Sequence, residues 1–193
     1  MKILKDIGSI GAAEIIGGAI GAGFWFYIAF LLKTDEFGEV QFLISLGTIG
    51  AAFAVLATIN SITVFEAKKI ELRKFLFIIS LIAGIIISII LFLMYQRFEI
   101  IIFLFGMIFI ELVAGFLPGN KLFTKYAKIT ILQKSLMICL GVGGYFLIGI
   151  DGIVYGIGLS YFPVVYLIIQ SFQKSKINFS LFKQHSGFIF NNY

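Results

Sequence analysis

This chain of 193 residues carries only one histidine, one cysteine and two prolines, and charged residues make up only 13% of it. Each scarcity excludes something. With His185 alone in the terminal segment, no histidine pair or triad can be built, and no HExxH, CxxC or phosphate-cradling glycine loop occurs. Cys139 is the lone cysteine, so no disulfide forms within the chain, and its place in an apolar run reads as packing. The aspartates, Asp6, Asp35 and Asp151, stand too far apart in sequence for the clustered carboxylates of a metal-dependent membrane transferase. Glycines near the start imitate GxGxxG spacing, but no βαβ unit surrounds them. No enzyme chemistry, metal or cofactor is expected.

What is present is apolar length. Hydrophobic residues reach 60% and mean hydropathy is +1.06. A soluble chain of this size keeps too much surface exposed to hide such a composition. Six long runs predict an all-α polytopic membrane bundle over residues 1–172, with helices at about 8–32, 38–64, 75–95, 100–117, 129–148 and 152–172. Each approaches the roughly 20 residues an α-helix needs to cross a hydrocarbon core, where only a helix satisfies its own backbone. The runs are continuous rather than alternating, which excludes a β-barrel. The first is too long for a signal-peptide core and is read as a retained helix.

Charge placement predicts orientation. Lys2 and Lys5 precede the first span, Lys68, Lys69, Arg73 and Lys74 separate the second from the third, Lys121, Lys125 and Lys128 separate the fourth from the fifth, and Lys174, Lys176 and Lys183 follow the sixth. The opposite connections hold only Lys33 and Arg97. The positive-inside rule therefore predicts a multi-pass protein of the cytoplasmic membrane with both termini in the cytoplasm. The net charge of +5 is spread over these short connections, which suits lipid headgroups rather than nucleic acid. Residues 173–193 read as a basic amphipathic tail that turns apolar at Gly187, like the lead-in to a seventh helix, and suggest a half-length product.

Polarity is unevenly shared among the spans. The third is nearly all Leu, Ile and Phe and reads as lipid-facing scaffold. The first carries Glu14 and six glycines, among them Gly17 and Gly21 as a small-xxx-small pair suited to close helix packing or gating. The second places Gln41, Ser45 and Thr48 on one face, as helix glue or as the wall of a hydrated cavity. Pro163 predicts a bend in the sixth. Glu14, Glu111 and Lys134 are ionisable residues within spans. At about 1.5 Å per residue, Glu14 lies roughly 9 Å inside the first span, Glu111 roughly 9 Å before the end of the fourth and Lys134 about 8 Å into the fifth. Their equal depth permits an acid–base cluster in which Lys134 balances one carboxylate; the alternative is separate snorkelling. Glu39 is read as interfacial.

Four stretches carry a resemblance: LKDIGSIGAAEIIGGAIGAGFWFYIAFLL, LKTDEFGEVQFLISL, FTKYAKITILQKSL and GIDGIVYGIGLS. They resemble, in turn, the first helix, the outer turn into the second, the basic entry to the fifth, and the turn between fifth and sixth in the polysaccharide and lipid-linked oligosaccharide flippases of the multidrug/oligosaccharidyl-lipid/polysaccharide superfamily. The likeness spans nearly the whole chain and matches the amino-terminal bundle. It implies a membrane transporter that flips a lipid-linked saccharide by alternating access, with the first and second helices bordering the cavity, and a second bundle as partner, whether the missing carboxy-terminal half, another chain or a second copy. By position it makes Glu14, Gln41, Ser45 and Thr48 cavity candidates, beside Glu111 and Lys134. The competing readings are a membrane assembly subunit that transports nothing and, less favoured, an integral membrane transferase.

Overall fold

The computed structural model describes residues 2–56 and 58–174, and all of its regular elements are α-helices. In chain order they are α1 (Lys2–Leu31), α2 (Thr34–Val55), α3 (Thr58–Ala67), α4 (Arg73–Tyr95), α5 (Phe98–Gly119), α6 (Phe123–Ile148), α7 (Ile150–Leu159) and α8 (Phe162–Lys174). Six segments are long and apolar enough to cross a membrane, the last formed by α7 and α8 together. The protein is a multi-pass helical membrane bundle. From residue 175 onward the expected tail lies outside the described residues.

Two spans are broken. The second, expected as one helix over 38–64, begins earlier and is interrupted after Val55, where Leu56 adopts φ −43° and ψ 127° before α3 starts at Thr58. Nothing in the sequence marks this break, because neither Gly nor Pro stands there. The sixth, where Pro163 was expected to bend the span, is interrupted just before that proline, at Ser160 and Tyr161, whose N–H groups turn back to Gly156, Ile157 and Gly158. Proline has no N–H and its ring clashes with the carbonyl four residues back, so the preceding turn must open.

α5 is the axis of the bundle. Ile100, Leu104, Ile108 and Leu112 along it are fully buried, and it packs against α2, α3, α4, α7 and α8. Two apolar cores divide its length. One gathers Leu104 to Leu117 with Ile62, Phe65, Leu76, Phe77 and Val164. The other gathers Ile100 and Phe103 with Phe24, Ile28, Val40, Leu43, Ile153 and Ile157. α1 belongs only to the second.

Glycine lets several of these helices approach, though not chiefly where the first span suggested. Of the expected pair, Gly17 lies against Lys134 and Thr130 at van der Waals distance, whereas a side chain at Gly21 would meet nothing. The closest approach is between α6 and α7, where a Cβ on Gly144 would strike the Gly152 carbonyl and one on Gly152 the Gly144 carbonyl. Gly149, with φ +75° and ψ −146°, makes the turn between them in a conformation that favours glycine. On α5, Gly115 and Gly119 receive the backbone of α3. α4 matches the scaffold reading, with Ile82, Ile86, Ile89 and Leu93 outward and a buried row of Ser80, Gly84 and Ser88.

Candidate functional site

The two ends of the bundle are chemically distinct. At one end Arg97, between α4 and α5, donates from Nη2 to Glu39 Oε1 at 2.9 Å and to Asp151 Oδ1 at 2.8 Å, and from Nε to Glu99. A single guanidinium thereby ties the starts of α2, α5 and α7. Glu99 is buried. Burial works against the Arg97 charge, but Glu99, Asp151 and Glu39 outweigh it and raise the pKa of the group. Glu39, read as interfacial, is one of the three carboxylates of this latch. At the other end Glu66 pairs with Arg73 at 3.3 Å and accepts from Asn120 at 2.6 Å, while Arg73 lies over the Phe116 ring. This end also carries Lys68, Lys69, Lys121 and Lys125 and is called the basic end below.

α1 and α2 leave the Arg97 end as neighbours, with Trp25 edge-on to Phe37. They then part company. α1 continues along α6, α2 and α3 continue along α5, and among the described residues none of α1 enters the core of the basic end. The polar residues singled out from the sequence line this divergence in two groups.

The first group lies on α1 and α6. Glu14 is exposed rather than interior, because the packed face of α1 runs through Ala13, Gly17, Phe24 and Ile28, and Gly11 and Gly18 contact nothing. It sits on the rim of that face, where the Tyr126 hydroxyl donates to its Oε1 at 3.4 Å. Lys134, half-buried on the same helix as Tyr126, lies against Gly17 of α1, one turn along from Glu14. Of the acid–base cluster expected from equal depth, the contact seen is the bond from Tyr126, a tyrosine that the sequence reading missed, to Glu14; Lys134 feels the charge of Glu14, but among the described residues no ion pair joins it to Glu14 or Glu111.

The second group surrounds the break in the second span. Thr48, Ala51, Ala52, Val55, Leu56, Ile59, Asn60, Met107 and Glu111 line a cavity of about 320 Å³. On an unbroken helix at 100° per residue, Asn60 would point about 120° away from Thr48; the break at Leu56 brings both to one notch. Among the described residues, no hydrogen bond or ion pair reaches Thr48, Asn60 or Glu111. Ser45 differs, since its hydroxyl is spent on the Gln41 carbonyl at 2.7 Å; it remains exposed, and Gln41 is half-buried. Among the described residues no group of His, Cys, Asp and Glu could hold a metal ion.

No family model, curated protein or solved structure matches this chain.

Proposed function

We propose that this membrane protein is one bundle of a transporter that moves a lipid-linked oligosaccharide or polysaccharide precursor across the cytoplasmic membrane by alternating access, without chemical change to its cargo. The observation that carries the reading is the uncovered polar wall at the basic end. Glu14, Thr48 and Asn60 are exposed along it, and Glu111 and Lys134 are half-exposed; of these Glu14, Thr48, Glu111 and Lys134 lie within membrane-spanning segments, and Asn60 stands just past the break that ends one. Polar and ionisable groups at that depth are expensive unless they face a hydrated cavity or another protein surface. A second bundle, whether from the same gene, a partner chain or a second copy, supplies that surface and places the site at an interface between repeats, where such transporters hold their cargo. The four resembling stretches support a lipid-linked saccharide, and the basic connections support a cytoplasmic location for that end and for both termini. A latched Arg97 end and a divergent basic end together correspond to an inward-facing state.

One observation favours the assembly-subunit reading. A shallow groove of about 390 Å³ runs along the α6–α7 hairpin, bordered by Gly143, Gly144, Gly152 and Gly156, a surface that another helix could approach closely. Vesicle assays separate the two. The chain is reconstituted with and without the candidate second bundle, and movement of a fluorescent lipid-linked oligosaccharide between leaflets is followed. Translocation only with the second bundle is expected. Absence of translocation in both cases, with a stable stoichiometric complex, would establish the assembly role; monomers that translocate alone would refute the two-bundle requirement.

A further inference from the structure

We infer that the notch at the break of the second span is a recognition subsite for an uncharged sugar residue and that Glu111 excludes anionic sugars from it. This rests on the transport reading above and adds which cargo the site accepts. Thr48, Asn60 and Glu111 converge on the same 320 Å³ space and find no polar partner among the described residues. Together they offer hydroxyl and amide donors and a two-oxygen acceptor, the set that pairs with neighbouring hydroxyls on a ring. Val55, Ile59 and Met107 form apolar flanks against which the C–H face of a pyranose can lie.

Size argues against a bare ion. The notch falls within the roughly 300–1,000 Å³ of small-molecule pockets, and at about 30 Å³ per water it has room for on the order of ten waters. A dehydrated monovalent cation needs far less space, and more oxygen ligands than these three side chains supply at once. Charge argues against an anion. Among the described residues no Lys or Arg lines the notch, and the carboxyl group of Glu111 stands in it. Lys134, the one cation within the spans near this level, acts with Glu14 on α1 and does not line the notch. A uronic acid or a phosphate placed there would meet a like charge, which disfavours it relative to a neutral sugar of the same shape.

The test measures occupancy, not transport. Ala52 lines the notch and is exposed, so Ala52→Cys in a Cys139→Ser background supplies a thiol whose reaction with a maleimide is timed in lipid nanodiscs. Octyl β-glucoside and octyl β-glucuronide are the probes, matched in chain and differing in one carboxylate. The glucoside is expected to slow labelling several-fold and the glucuronide to have no effect, while Glu111→Gln, which keeps the hydrogen bonding but removes the charge, lets both protect. Equal protection by the two glycosides in the parental chain would overturn the proposal by showing simple occupancy by the alkyl tail, as would protection by sodium ions alone or no protection by the glucoside. Each variant is first shown to be monodisperse with unchanged helix content. Selective protection without vesicle translocation would sink the transport reading and leave the subsite; translocation without selective protection would do the reverse.

Discussion

The Arg97 end and the basic end contain similar helices but hold them together differently. At the Arg97 end, α2, α5 and α7 share one guanidinium, and α6 and α7 touch backbone to backbone through Gly144 and Gly152. At the basic end the described part of α1 packs chiefly on α6, through Ala13 and Gly17, and a side chain at Gly8, Gly11, Gly18 or Gly21 would meet nothing within 4 Å. Close backbone packing and shared charge hold these helices together on facing sides and leave only an apolar groove on the outer surface of the α6–α7 hairpin. A helix held along one edge leaves a wall open, and Thr48, Asn60 and Glu111 stand on that wall without a hydrogen-bond partner among the described residues.

Substitutions at the tight end give the largest effects. Gly152→Ala drives a methyl into a backbone carbonyl that cannot rotate away, and a loss of about 3 kcal/mol or more is expected, read as unfolded or aggregated protein on size exclusion. Normal stability of this variant would mean that α6 and α7 are not in backbone contact. Arg97→Ala leaves buried Glu99 without its cation; allowing for a guanidinium about one-third exposed, it costs about 2 kcal/mol in a denaturant titration in detergent. That cost has a defined pH dependence. A cation whose pKa is raised on folding contributes stability that is present below its unfolded pKa and is lost only as pH climbs through the folded one. An arginine is already charged throughout the accessible range and this one is raised further, so the parent-minus-variant difference should stay constant from neutral pH to about pH 10. A decline over that range would show that another group carries the latch.

Smaller effects sharpen the contrast from the loose end. Gly149→Ala, at the turn joining α6 to α7, is expected to cost about 1–2 kcal/mol because its φ of +75° and ψ of −146° strain any L side chain. Gly18→Ala, on the open face of α1, should instead raise stability by about 0.5–1 kcal/mol, since alanine is the better helix former and nothing lies within 4 Å of the new methyl. If Gly18→Ala proves as damaging as Gly152→Ala, a second surface already covers α1 in the isolated chain. Reporter fusions at Lys33, Lys69, Arg97 and Lys125 test orientation, with Lys69 and Lys125 expected inside and the other two outside.

Much of this architecture is written in the order of residues. Six apolar runs of spanning length admit only helices in lipid, because each must satisfy its own backbone without water. The equal depth of Glu14, Glu111 and Lys134 follows from rise per residue, which is why a cluster could be expected before any packing was known. The interruption of the last span follows from Pro163, whose missing N–H is a local property. The break at Leu56 carries no such mark. Its cause lies in the close fit of α3 on Gly115 and Gly119 and in the bond from Thr63 to the Gly115 carbonyl, both contacts with a helix about fifty residues away. Likewise, one end of the bundle could be seen to hold few basic residues, but not that Arg97 gathers carboxylates from positions 39, 99 and 151. Among the many glycines, only packing shows that Gly144 and Gly152 are in contact while Gly11 and Gly18 are not. Composition and periodicity act within one helix and so determined that this is a membrane bundle and roughly where its charges lie. Which faces meet depends on side chains far apart in the chain, and tertiary structure alone decided which end is closed and where the open notch lies.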